Sequence, residues 1–216
     1  MNKADVIKQI REIGIIPVVR ATTADEAMRA IDAIREGGIS VLEITMTVPG
    51  AVSVIEQVTA RFGDDALVGA GTVLDPETAR ACVSSGAQFI VSPALHIETI
   101  AYCRAEDVAV MPGALTPTEV VQAWNAGADF VKVFPAGAVG GPSYLKSLKA
   151  PLPQIELVPT GGVSLKTAAD FIRAGAAALG VGADLVDTKA QSSVITERAR
   201  QFVDVVRQAR DELNRR

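Results

Sequence analysis

Lys132 sits inside an apolar run, Phe130-Val131-Lys132-Val133-Phe134-Pro135, whereas the other six lysines (Lys3, Lys8, Lys146, Lys149, Lys166, Lys189) fall in polar stretches. A strand of Val and Phe is expected to be buried, and a buried ammonium is costly unless it is paired or deprotonated. Desolvation favours the neutral form of a lysine, and a neutral amine is a nucleophile that condenses with carbonyls. Glu43 stands in a second apolar run, Val41-Leu42-Glu43-Ile44-Thr45. Strand alternation puts Glu43 and Thr45 on one face and Leu42 and Ile44 on the other. If Leu42 and Ile44 pack against helices, Glu43 faces inward and needs a partner, and Lys132 carries the opposite charge. Such a pair is either a structural ion pair or a proton-transfer carboxylate beside a nucleophilic amine.

The residues that must hold these two side chains alternate short β-branched runs with helical patterns. Strands are expected at Ile15–Val19, Val41–Thr45, Leu67–Ala70, Phe89–Ser92, Val108–Met111, Phe130–Phe134, Glu156–Pro159 and Ala177–Gly180. Between them lie amphipathic segments; in Asp25–Glu36, residues Ala27, Ala30, Ile31 and Ile34 form one stripe. Asp75-Pro76-Glu77 and Thr116-Pro117-Thr118-Glu119 predict helix starts. Gly37, Gly63, Gly86, Gly127 and Gly175 fall where helices should stop. Strand starts recur roughly every 19–26 residues, the spacing of one βα unit. Eight such units without a linker predict one domain over residues 1–216, a single (β/α)8 TIM barrel at the compact end of the usual ~250 residues. A doubly wound sheet would carry a Gly-rich turn after its first strand, and Ile16-Pro17-Val18-Val19-Arg20-Ala21 has none.

A barrel places its chemistry at the C-terminal ends of the strands. The unusual polar residues and glycines at those ends are Arg20, Glu43, Thr45, Thr47, Thr72, Ser92, Lys132, Thr160 with Gly161 and Gly162, and Gly182. Glycines after the seventh and eighth strands suit a phosphate, because backbone N–H groups can approach an anion closely there. Asp184, beside the second of these loops, is expected to point away from it. The planar fork of Arg20 suits a carboxylate, and Thr72 suits a substrate oxygen. Together these parts describe a site for a phosphorylated keto acid.

Composition narrows the alternatives. The net charge is −4 with both signs spread along the chain, so no nucleic-acid partner is expected. No membrane span or signal core is expected either, which fits a cytoplasmic protein. His96 is the single histidine, so a metal-dependent mechanism is not expected; the residue is placed at a helix start. Cys82 and Cys103 lack a metal or redox spacing and are expected to be free buried thiols. Aromatics make up only 4%, so the interior must be built from Ala, Val, Ile and Gly.

Six ordered motifs carry a resemblance: Val41-Leu42-Glu43-Ile44-Thr45, Gly69-Ala70-Gly71-Thr72-Val73, Phe89-Ile90-Val91-Ser92-Pro93, Val110-Met111-Pro112-Gly113, Val131-Lys132-Val133-Phe134-Pro135-Ala136 and Pro159-Thr160-Gly161-Gly162-Val163. In this order the chain closely resembles the bacterial 2-keto-3-deoxy-6-phosphogluconate / 4-hydroxy-2-oxoglutarate aldolases. The resemblance implies a class I aldolase on a (β/α)8 barrel, a homotrimer without metal or other cofactor. It implies cleavage of 2-keto-3-deoxy-6-phosphogluconate to pyruvate and glyceraldehyde 3-phosphate. By that pattern Lys132 matches the Schiff-base lysine, Glu43 the proton-transfer glutamate and Thr72 a pyruvate-carboxylate contact. Gly161, Gly162 and Gly182 match the phosphate site beside Thr160, and Phe134 walls the pyruvate pocket. Two positions depart from the pattern. Many gluconate-type members carry an arginine where this chain has Thr47, and Arg20 supplies the charge instead, as in galactonate-type relatives. A serine often found after the last phosphate-loop glycine is Ala183 here, a loss of ~1 kcal/mol for an ordinary hydrogen bond. The alternatives are the galactonate epimer or 4-hydroxy-2-oxoglutarate as the main substrate, a phosphosugar isomerase that uses Glu43 without an amine, and a barrel kept as a structural or assembly subunit.

Overall fold

A computed structural model describes residues 1–215. The first element, α1 (Lys3–Ile13), precedes any strand, with Asn2 Oδ1 accepting from Asp5 N at 2.9 Å as its cap. There follow β1 (Ile15–Val19), α2 (Ala24–Glu36), β2 (Val41–Thr45), α3 (Ala51–Phe62), β3 (Leu67–Gly71), α4 (Pro76–Ser84), β4 (Phe89–Val91) and α5 (Ile97–Ala105). Then come β5 (Ala109–Met111), β6 (Gly113–Ala114), α6 (Pro117–Ala126), β7 (Val131–Val133), α7 (Pro142–Lys149), β8 (Leu157–Pro159), α8 (Ala168–Arg173), β9 (Leu179–Val181) and α9 (Ser192–Asn214).

Every strand pairing is parallel. Six strands form one sheet in the order β5-β4-β3-β2-β1-β9, and three form a second in the order β6-β7-β8. The expected eight strands are thus nine, because a short strand, β6, follows beyond Pro112, where the expected fifth strand ends. Proline has no N–H to donate to a ladder, while its carbonyl still accepts from Lys132 N at 2.9 Å. β8 meets the β9 segment through two isolated bridges, Leu157 with Ala176 and Thr160 with Gly180. The last strand begins two residues later than the sequence suggested.

Period-two alternation sorts the strands into two cores. Leu42, Ile44, Val68, Ala70, Ile90, Val131, Val133 and Leu157 pack outward against the helices, including the stripe Ala27, Ala30, Ile31 and Ile34 of α2. Ile16, Val41, Leu67, Phe89, Phe130 and Val158 pack together on the opposite face, with Val6 and Ile10 of α1. Each such aliphatic side chain contributes roughly 1.5–3 kcal/mol when fully buried. The helix therefore covers the N-terminal ends of the strands. Salt bridges from Lys3 to Asp129 and from Arg11 to Glu156, both 3.0 Å, tie it to the residues just before β7 and β8.

The helix starts follow their caps. Asp75 accepts from Thr78 N at 2.7 Å, and Thr116 with Glu119 forms a reciprocal capping box; each has Pro at the first turn. His96 caps α5 through the N–H of Thr99. Among the described residues no helix is long and apolar enough to cross a membrane. Cys82 and Cys103 are free and buried, and burial pushes their thiols up to about 11 and about 12.

Candidate active site

Glu43 lies in the middle of β2 and Lys132 in the middle of β7, both on the inward face. Their side chains are 3% and 4% exposed, and Lys132 Nζ stands 3.7 Å from Glu43 Oε1. That is an ion-pair separation but too long for a direct hydrogen bond. Glu43 Oε1 is buried and has no hydrogen-bond partner. A carboxylate oxygen without a donor in a desolvated place costs free energy. Here the cost falls beside the one lysine drawn into the strand interior.

Gly71 makes room for this carboxylate. It is the neighbour of Thr45 in the β2–β3 ladder, and a Cβ built on it would stand 2.0 Å from Glu43 Oε1. Gly69 plays the same part for Phe89, whose ring would lie 2.3 Å from an added Cβ. The glycines of Gly69-Ala70-Gly71-Thr72 therefore admit side chains from neighbouring strands. Thr72 follows with φ 60°, a left-handed backbone that β-branched residues rarely adopt.

Above the pair opens a cavity of about 360 Å³. Arg20, Phe134, Thr160, Gly161, Gly162 and Gly182 all line it. Those six sequence-predicted residues, from the ends of β1, β7, β8 and β9, are brought together. Lys132, Glu43 and Thr72 are not part of this lining. Phe134 joins the two places: it lines the cavity, and its ring centroid is 5.4 Å from Lys132 Nζ, within cation–π range. Arg20 shares the glycine-lined cavity, whereas Thr72 lies outside it. Ser164 and Asp184 also line it. The expectation that Asp184 points away is corrected: its Oδ2 accepts from Leu165 N at 3.1 Å, holding the β9 loop to the β8 loop.

The glycine loop after β8 is locked from below. Gly161 and Gly162 have φ of 82° and 79°, which only glycine adopts without strain. Gly137 N donates to Gly161 O at 2.8 Å and Ala136 N to Thr160 O at 2.9 Å. A Cβ on Gly162 would stand 2.7 Å from Gly137 Cα. The turn after the lysine strand is thus pressed against the loop after β8. Sequence reasoning missed Gly137 and Ser164, which carry no signal beyond their place beside known loops. It also missed a bond that needs the β1–β2 register: Thr45 Oγ1 donates to Val19 O at 3.0 Å. Among the described residues no cluster of three His, Cys, Asp or Glu side chains forms a metal site.

The arrangement offers a buried amine, a carboxylate 3.7 Å from it, and beside them a cavity lined by Arg20 and loop glycines. Comparison with known proteins finds aldolases. The family model for KDPG and KHG aldolase matches residues 6–201. The 2-dehydro-3-deoxy-6-phosphogalactonate aldolase of Escherichia coli K12 is 37% identical over 199 residues, covering 92% of this chain and 97% of that protein. The 2-dehydro-3-deoxy-phosphogluconate aldolase of Pseudomonas aeruginosa is 35% identical over 162 residues, covering 75% of this chain and 73% of that one. The crystal structure of KDPG aldolase from Legionella pneumophila, with pyruvate captured as a covalent carbinolamine, superposes with a TM-score of 0.84 at 29% identity. That likeness covers 94% of this chain and 98% of the Legionella chain.

Proposed function

The chain belongs to the KDPG and KHG aldolase family, and from that premise we propose that it is a class I, Schiff-base lyase that splits a phosphorylated 2-keto-3-deoxy sugar acid into pyruvate and glyceraldehyde 3-phosphate. One observation carries the reading: the Lys132 amine is buried 3.7 Å from Glu43 Oε1, an oxygen that no hydrogen bond occupies.

The amine adds to the C2 ketone of the substrate and, with loss of water, gives a protonated imine. That cation takes up the electron pair of the C3–C4 bond as the C4 hydroxyl loses its proton. The aldehyde leaves and an enamine of pyruvate stays on Lys132. Protonation at C3 and addition of water then release pyruvate and return the amine. Glu43 moves these protons, through a water because it does not touch the amine directly. Phe134 walls the pyruvate end and Thr72 binds its carboxylate. Thr160, Gly161, Gly162 and Gly182 hold the phosphate. Arg20 lines the same cavity as those glycines, so its charge is set against the phosphate end.

The overall family resemblance implies the gluconate epimer. Two observations favour the galactonate epimer as the better substrate. The charge at the cavity comes from Arg20 on β1 while position 47 is a threonine. The match to the galactonate enzyme of E. coli also spans 97% of that protein, against 73% for the gluconate enzyme of P. aeruginosa. The same reading takes residues 1–216 as one domain, in which the two sheets make one closed eight-stranded barrel, with β5 and β6 as a single strand broken at Pro112. It takes the assembly as a homotrimer, which light scattering would measure.

Borohydride reduction in the presence of pyruvate tests the chemistry. The peptide bearing Lys132 is expected to gain the mass of reduced pyruvate. An unmodified Lys132 would remove the lyase reading and leave the isomerase or purely structural alternatives. Kinetics on the two epimers side by side then decide the substrate.

A further inference from the structure

We infer that Thr47 and Thr45 are positioning residues that hold Arg20 at the cavity through a one-way chain of two hydroxyls. The inference rests on the aldolase reading and adds a specificity device to it. Thr45 lies two residues beyond Glu43 on the same inward face of β2 and is fully buried. Its Oγ1 donates to Val19 O at 3.0 Å and stands 2.6 Å from Thr47 Oγ1. A hydroxyl carries one proton, and a carbonyl can only accept. The Thr45 proton is therefore committed to Val19, so the proton in the second bond belongs to Thr47. The chain runs from Thr47 to Thr45 to the peptide from which Arg20 springs.

The β1–β2 ladder explains why side chains take over here. Its last registered pair is Val19 with Ile44. Thr45 lies one residue past that pair, so its hydroxyl continues the inter-strand link where the ladder ends. Arg20 is exposed, lines the cavity, and takes part in none of the ion pairs among the described residues. No ion pair anchors its guanidinium, so the peptide at its root is the part of it that the fold holds. A long side chain loses rotamer freedom when it grips an anion, and a fixed root reduces what has to be ordered on binding. Met46, between the two threonines, faces the other way and packs against the outer core, as the alternation requires.

The test compares Thr47→Val, Thr45→Val, Thr45→Ser and Arg20→Ala on 2-keto-3-deoxy-6-phosphogalactonate. Thr47 is exposed, so Thr47→Val keeps the fold and carries the test even if the buried Thr45→Val does not fold. Thr47→Val and Thr45→Val are each expected to raise KM about 3–10-fold, the scale of one hydrogen bond, with kcat within about twofold. Thr45→Ser restores the wild-type KM. Thr47→Val added to Arg20→Ala raises KM no further, because both changes act through one side chain. Borohydride trapping of pyruvate, which has no distal phosphate, is unaffected by either threonine variant. An unchanged KM in Thr47→Val, or a rise that adds fully to that of Arg20→Ala, overturns the inference while leaving the aldolase reading intact. Absence of trapping in the wild-type protein overturns the aldolase reading and the inference with it.

Discussion

The two ends of the strands are built by opposite rules. At the N-terminal ends, Val6 and Ile10 of α1 close over Phe89 and Phe130, and the charges there have partners: Lys3 with Asp129, Arg11 with Glu156. Arg210 donates to the carbonyls of Arg11 and Glu12 at 2.7 Å, fixing the end of the same helix. At the C-terminal ends, the interior turns polar and incomplete. Glu43, Thr45, Lys132 and Thr160 are buried there. Among the described residues four buried side-chain atoms lack partners, and of these Glu43 Oε1 alone is on a strand. Thr72 holds a strained backbone nearby. The N-terminal end is closed by apolar packing and paired charges, while the C-terminal end keeps a buried amine beside a carboxylate oxygen without a donor.

Substitutions at each end should therefore separate turnover from stability. Lys132→Ala should abolish both turnover and pyruvate trapping, with the far-ultraviolet circular dichroism of the wild type; residual trapping would break the contrast. Glu43→Gln should lower kcat by roughly 10²–10⁴-fold, the scale of general acid–base catalysis, in steady-state assays. At the other end, Ile10→Ala should cost about 2–5 kcal/mol in urea unfolding, as expected for a buried isoleucine. Its kcat, measured on the folded protein, should match the wild type, and a comparable loss of rate would mean that the ends are coupled.

The smallest effect concerns the thiols between sheet and helices. With Cys82 and Cys103 pushed up to about 11 and about 12 by burial, native protein at pH 7.5 should resist iodoacetamide and label only in urea. The folded state keeps these protons where an unfolded chain, with thiols near ~8.5, loses them. Their contribution to stability is thus complete below about pH 8.5 and declines as pH rises toward 11–12. A urea midpoint that rises between pH 8 and pH 10 would contradict that sign.

Apolar alternation made most of the strands legible. Ile15–Val19 and Val41–Thr45 form as expected, because each is a five-residue β-branched run whose two faces meet different cores. The helix starts at Asp75 and Thr116 were legible from cap chemistry. α1 was not anticipated: Val6 and Ile10 recur at a helical i, i+4 spacing, but two apolar residues in a polar stretch show nothing about what they cover. The fifth strand ends at Met111 as expected, but β6 was missed, since two residues, Gly113 and Ala114, are too short a run to show a period. At the site, Lys132 and Glu43 stood out because each is a charge in an apolar run. Their approach to 3.7 Å depends on curvature that no local pattern encodes. The roles of Gly71 and Thr45 were hidden for a related reason: each acts on a neighbouring strand, so its meaning depends on register.

The contact between Gly137 and Gly162 bears on how such a protein can be remodelled. The turn carrying Gly137 leaves the lysine strand, while Gly162 belongs to the cavity-lining loop after β8, and the two backbones touch without side chains between them. A designer who transplanted only one of these segments into another scaffold would bring a surface with no counterpart. The turn after the lysine strand and the loop after β8 therefore have to be moved together, because a side chain added at Gly162 would displace the Gly137 backbone.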